Sequence, residues 1–302
     1  MKRITATILA IVLLFSFAAC SATPPAPTGN SGSGATAAPS ETTLPAQTQA
    51  GEISFEEVTV VDNDQCTIKI TSIDEDALFG YTLNAYLENK SADKTYMFSV
   101  KSASINGVMA DPLFAAEVAP GKKANEHISW LDSAVPGDIG DYTDIELNFW
   151  VYDSNDWMAD PVAEQTVHIY PYGEENAKTF VRTTQDTDTV LIDNENVTAI
   201  VTGYEEDDLW GYTAKVFFVN KTDKTVMFTV EDVSVNGFMA DPFFANEVDT
   251  GKCAFSSISW SDTTLEENGI TEIQTIELTI RAYDSNDLLA DDLAKETVTL
   301  NP

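Results

Sequence analysis

The sequence predicts an all-β protein, two tandem β-sandwich domains behind a short leader and a polar linker. Three observations carry this. Segments of alternating apolar and polar residues fill the chain beyond about residue 53, Asn-, Gly- and Pro-containing turns separate them, and the whole pattern returns after about 130 residues. Alternation at period two is what a strand with one buried face requires. A period far beyond solenoid lengths makes each copy a whole domain.

The leader comes first. Lys2 and Arg3 precede an apolar stretch from Ile4 to Phe17, and Ala18-Ala19-Cys20 follow. The stretch falls short of the roughly 20 residues that span a bilayer, so residues 1–19 read as a secretory signal peptide. Phe17-Ala18-Ala19-Cys20 resembles the lipobox of bacterial lipoproteins, with Phe17 where Leu is more usual. That resemblance implies that Cys20 is acylated and becomes the new N-terminus. The mature chain is then lipid-anchored at the extracellular face of the cell membrane, since two acyl chains suffice for stable attachment. Residues 20–52 are mostly Ala, Thr, Ser, Pro, Gly and Gln. Such a composition cannot bury enough surface to fold and predicts a disordered linker with a root-mean-square span of roughly 30 Å.

Charge and cysteine usage narrow the partners. Without the leader the chain carries 14 basic and 49 acidic residues, a formal charge of −35. This surface repels nucleic acid and anionic lipid, so no nucleic-acid partner is expected. Cys66 and Cys253 fall at non-equivalent places in the repeats. A disulfide framework would recur in both copies, which favours free, buried thiols.

The repeats span 53–172 and 173–302. Gly80-Tyr81-Thr82 returns as Gly211-Tyr212-Thr213, and Ile128-Ser129-Trp130 as Ile258-Ser259-Trp260. Asn106-Gly107-Val108-Met109-Ala110-Asp111-Pro112 returns as Asn236-Gly237-Phe238-Met239-Ala240-Asp241-Pro242. In the first copy, strands are expected within 67–71, 81–88, 96–100, 127–130, 145–151 and 166–169. Asn106-Gly107 between apolar runs is a hairpin signal, because both residues tolerate positive φ. Six or seven short strands in about 115 residues fit an immunoglobulin-like sandwich.

A family likeness enters on the strand–turn–strand Leu87-Glu88-Asn89-Lys90-Ser91-Ala92-Asp93-Lys94-Thr95, its copy Val219-Asn220-Lys221-Thr222-Asp223-Lys224-Thr225, and the Val118-Ala119-Pro120-Gly121-Lys122 turn. With these the chain resembles the extracellular immunoglobulin-like domains of clostridial-type surface lipoproteins of uncharacterised function. The second copy departs from the turn, with Val248-Asp249-Thr250-Gly251-Lys252. The likeness implies a fold and an extracellular setting, and no activity.

Residues with chemistry are few, and the reading is of a non-enzyme. No hydrolase elbow, zinc-helix motif or phosphate loop is present in the sequence. His127 and His168 have Ser257 and Thr299 as repeat partners, which favours solvated strand residues over ligands or bases. Asp153-Ser154-Asn155-Asp156 and Asp284-Ser285-Asn286-Asp287 are similar to the Asp-x-Asn-Asp calcium ligands of cadherin linkers. Hard cations want clustered oxygens, so Asp153, Asn155, Asp156, Asp284, Asn286 and Asp287 are candidate calcium ligands. The competing reading is a turn closed by Asp and Asn side chains. Asp111 and Asp241, each before a proline, read as N-caps of a short helix or turn, with a ligand or metal role as the alternative, which convergence of Asp111 with Asp153 and Asp156 would favour. Trp130 and Trp260 read as core, whereas Phe79, Trp157 and Trp210 stand at strand ends where a ring can stack on a sugar or a partner surface. The function expected is a non-catalytic binding or adhesion module with an extracellular protein or glycan partner and no obligatory cofactor. A calcium- or glycan-binding accessory protein is the alternative, and a carboxylate-based hydrolase comes third.

Overall fold

The computed structural model describes residues 52–136, 138–208 and 211–302. Cys20, the leader and the linker up to residue 51 lie outside the described residues, as does Trp210. The first repeat supplies β1 (Val58–Asp62), β2 (Cys66–Asp74), β3 (Tyr81–Asn89), β4 (Tyr96–Ile105), β5 (Val108–Met109), β6 (Ala115–Val118), β7 (Lys123–Trp130), β8 (Ile145–Asp153) and β9 (Ala163–Ile169). The second supplies β10 (Thr189–Asp193), β11 (Val197–Asp208), β12 (Gly211–Asn220), β13 (Val226–Val235), β14 (Phe238–Met239), β15 (Asn246–Val248), β16 (Cys253–Trp260), β17 (Ile276–Asp284) and β18 (Ala294–Leu300), with a one-turn helix α1 (Asp262–Glu267) after β16. The fold is an all-β sandwich.

In the first repeat the antiparallel sheet β1-β2-β3-β7 faces β5-β4-β8-β9, with β6 on β4. In the second, β10-β11-β12-β16 faces β14-β13-β17-β18, with β15 on β13. Alternation places Leu83, Ala85 and Leu87 of β3 and Leu147, Phe149 and Val151 of β8 in one core. Phe218, Phe228, Leu278 and Ile280 fill the second. Trp130 and Trp260 are fully buried, as expected from their strands.

The recurring motifs are structural. The Trp130 indole N–H donates to the Ala110 carbonyl at 2.8 Å and that of Trp260 to Ala240 at 3.0 Å, so each Met-Ala-Asp-Pro segment is tied to the core of its own repeat. Gly80 and Gly211 adopt φ of +87° and +91°, and a Cβ on either would lie 2.1 or 2.3 Å from the carbonyl of Trp130 or Trp260, which explains the recurring Gly-Tyr-Thr. Asn106 takes φ +52°, and its side chain binds the Ile139 and Asp141 carbonyls and the Thr143 amide. Buried Asn89 and Asn220 reach the carbonyls of Val118 and Val248 across a loop.

One sequence expectation is corrected. Neither Asp111-Pro112 nor Asp241-Pro242 opens a helix. The residue after each proline instead crosses to the opposite sheet in extended form, Leu113 bridging Ser129 and Phe243 bridging Ser259. The preceding alanine carbonyl is already committed to a tryptophan, and this holds the segment extended.

The two sandwiches are not separate sheets. β5 of the first repeat pairs in parallel with β16 of the second through Val108 and Cys253, so β10-β11-β12-β16 runs on into β5-β4-β8-β9 as one nine-stranded sheet.

Candidate functional site

The acidic turns close on themselves and on lysine. Asp153 Oδ1 accepts from the Asn155 amide at 3.0 Å, and Lys94 Nζ stands 3.2 Å from its Oδ2. In the second copy Asp284 accepts from the Asn286 amide at 3.0 Å and pairs with Lys224 at 2.8 Å. The Asn155 amide and then Lys94 hold the Asp153 carboxyl below its ordinary pKa. For Asp284 the Lys224 bond comes first, followed by the Asn286 amide. Each lysine sits in the Asp-Lys-Thr turn quoted above, so two sequence motifs read separately meet in space. Asp287 Oδ1 accepts from the Leu289 amide at 3.1 Å. The Asn155 and Asn286 amides serve the turns, while Asp156 lies at the exposed surface. Among the described residues no three His, Cys, Asp or Glu side chains gather as a metal site.

Asp111 does not join Asp153 and Asp156. Its carboxylate accepts from the Ala103 amide at 3.3 Å, whereas Asp153 pairs in register with Tyr96 at the other end of β4. Partial desolvation raises the Asp111 carboxyl, although by surface area the residue is exposed, which keeps the shift a weak one. Asp241 is exposed. The histidines also stand apart, His127 on Asn84 at 2.8 Å and His168 on Asp144 at 2.7 Å, in opposite sheets.

Some of the exposed apolar side chains stand at loop tips, others on the strands and bridges at Leu113, Val190, Phe238 and Phe243. In the β2–β3 loop, Leu78 is 90% and Phe79 61% exposed. The β8–β9 loop presents Trp157 and Met158 at 66% and 80%, and the equivalent β17–β18 loop presents Leu288 and Leu289 at 68% and 98%. Phe79 adjoins the Tyr81 end of β3. Trp157 follows Asp153, which the Lys94 contact places at the Asn89 end. The nine residues of β3 put roughly 27 Å of strand between those ends, so Phe79 and Trp157 do not form one patch. Met158, Leu288 and Leu289 carry no ring, and only their place after the recurring Asp-Ser-Asn-Asp marks them in the sequence.

A shallow concavity of about 440 Å³ lies on the outer face of the first repeat, lined by Glu57, Asp62, Lys69, Tyr86, Glu88 and Lys90 among others. Its charges pair with one another, Lys69 with Glu57 at 2.8 Å and Lys90 with Asp62 at 2.6 Å.

The seam between repeats is the most built feature of the surface. The Cys253 amide donates to the Gly107 carbonyl at 3.0 Å. Beside it Lys252 pairs with Glu146. Val108 is fully buried and Met109 packs on the second core, while Phe217 and Cys253 belong to the first. Phe180 of the connecting segment packs edge-on against Phe217 and Phe255. Arg182 lies over Phe217 and grips Asp188 with two bonds of 2.7 Å. In the second repeat Ser234 donates to Glu277 at 3.4 Å, whereas the equivalent Ser104 hydroxyl is buried without a partner, and Glu146 instead meets Lys252 and lies 3.4 Å from His168 Nε2.

No protein-family model and no curated protein matches the chain. Among solved structures, the YadV chaperone superposes with a TM-score of 0.25 at 12% identity, over 79% of this chain and 100% of its own. The red sea bream transglutaminase gives a TM-score of 0.23 at 13% identity, over 80% of this chain and 31% of that one. At these scores neither likeness bears on function.

Proposed function

We propose that the chain is a surface module of the bacterial envelope, held by lipid on Cys20 and engaging an extracellular protein through the loop tips of its sandwiches, without catalysing a reaction. One observation carries the binding reading. Equivalent loops of both repeats expose an apolar pair, Trp157-Met158 and Leu288-Leu289, beyond a turn braced by a lysine. Apolar groups held out on a rigid scaffold are what a binding loop requires. The position keeps its apolarity and not its ring, and leucine offers no face for sugar stacking, so this favours a protein partner over a glycan.

The test is co-sedimentation of the Cys20→Ala chain, which has no lipid to carry it into the membrane, with isolated bacterial envelopes, with and without W157A/M158A/L288A/L289A. The variant is expected to bind several-fold less while keeping its melting temperature, because these side chains are exposed. Undiminished binding would contradict the assignment of the tips.

A further inference from the structure

The seam uses elements that both repeats possess, but one set of each stands open. The turn residue Gly107 and Val108 of β5 meet Cys253 of β16. The counterpart of β5, β14, follows Gly237 and carries Phe238 and Met239 at the free edge of the second repeat, where Phe238 is 51% and Met239 65% exposed while Val108 is fully buried. The Asn-Gly turns before them match, with φ of +52° and +83° at Asn106 and Gly107 and +50° and +82° at Asn236 and Gly237. The Gly237 carbonyl is therefore presented as that of Gly107 is. On the receiving side β7, the counterpart of β16, is the outer strand of its sheet. Glu88 pairs with Lys123 in the same register as Val219 with Cys253, which turns the Lys123 amide outward as the Cys253 amide is turned.

The charges match as well. Lys252 and Glu146, which pair across the seam, correspond to Lys122 and Glu277, both exposed and neither in an ion pair among the described residues. Glu277 accepts from Ser234 at 3.4 Å, a bond that Glu146 does not make with Ser104.

We propose that β14 of one chain docks on the outer edge of β7 of a second copy, head to tail, with Glu277 of the first pairing with Lys122 of the second. The contact is heterologous, so it extends into an open chain of copies and does not close as a symmetric dimer. It is weaker than the internal seam, because Tyr86 and Asn125 stand where Phe217 and Phe255 pack with Phe180 at that seam, and because the acidic surface repels its like. The proposal depends neither on the lipid anchor nor on the loop-tip partner.

The test uses the full chain extracted in mild detergent at about 0.15 M salt, where the screening length is about 8 Å. K123C and F238C place thiols at the positions equivalent to the paired Cys253 and Val108, close enough for a disulfide. After mild oxidation the double variant is expected to give a ladder of dimers, trimers and longer species. A mixture of the two single variants is expected to stop at dimers. Adding E277K should weaken the ladder several-fold, and adding K122E to that chain should restore it. A double variant that stays monomeric, a ladder indifferent to E277K, or dimers of K123C alone would each overturn the proposal. All four substituted residues are exposed, and unchanged near-ultraviolet circular dichroism checks that the fold is kept.

Discussion

The amide of Cys253 donates to the carbonyl of Gly107 at 3.0 Å, and this bond splices the sheets of two repeats that the sequence presents as separate domains. The neighbouring Lys252–Glu146 pair is largely withdrawn from solvent. K252E should therefore destabilise the whole chain, by about 1–2 kcal/mol, between the values for exposed and buried pairs. E277K, at the open equivalent position, should leave the melting temperature of the monomer within a degree. Thermal melts at low protein concentration check the contrast.

Each half carries its own tryptophan-centred core, so fragments 53–172 and 180–302 should each unfold cooperatively. Both should melt below the intact chain, and the second fragment should bind a hydrophobic dye because Phe217, Phe255 and Cys253 lose the first repeat's core against which they pack. Failure of both halves to melt cooperatively would show that the repeats are one interdependent unit.

The tryptophan bonds predict a matched pair of defects. W130F and W260F each remove the donor to a buried alanine carbonyl, which costs about 1–3 kcal/mol for the unsatisfied group before any cavity is counted. Denaturant titrations should give similar losses in the two variants, as the motif does the same work in both repeats.

For the acidic turns, ion binding and acid stability are separate measurements. Lys94 and Lys224 already offset the Asp153 and Asp284 charges, so calcium at matched ionic strength should raise the melting temperature no more than sodium. A calcium-specific shift that D153N/D156N removes would establish the calcium reading instead. Both first carboxyls titrate below their ordinary pKa in the fold, so their contribution to stability is present above about pH 4 and fades as pH falls through the folded values. D153N/D284N should flatten the acid limb of the stability curve.

Burial pushes the thiols of Cys66 and Cys253 up to about 11, and neither is in a disulfide. Since the thiolate is the reactive form, neither should be alkylated in the native protein at pH 8, and both should be in urea. Mass spectrometry after a maleimide pulse reads this directly.

Much of the architecture was legible in the sequence because alternation and turn chemistry are local. Tyr81 to Glu88 and Ile145 to Val151 fall inside β3 and β8 as their period-two pattern implies. The strands ran longer than the pattern where polar residues face the other repeat or the solvent, as at the start of β7. What was not legible is what joins the copies. Val108 and Phe238 are both apolar and both follow Asn-Gly, yet one is buried by a strand about 145 residues away and the other lies bare. The lysine opposite each acidic turn was hidden for the same reason, since Lys94 and Asp153 are brought together by the β4–β8 pairing and not by sequence distance.

Cys20 carries the proposed anchoring, and its replacement tests that proposal most directly. Membrane and soluble fractions of cells expressing wild type and Cys20→Ala, with a labelled fatty acid in the medium, should show the wild type labelled and membrane-bound. The variant should be unlabelled and released. A Cys20→Ala protein that stays in the membrane fraction, or a wild type that never takes up label, would contradict the assignment.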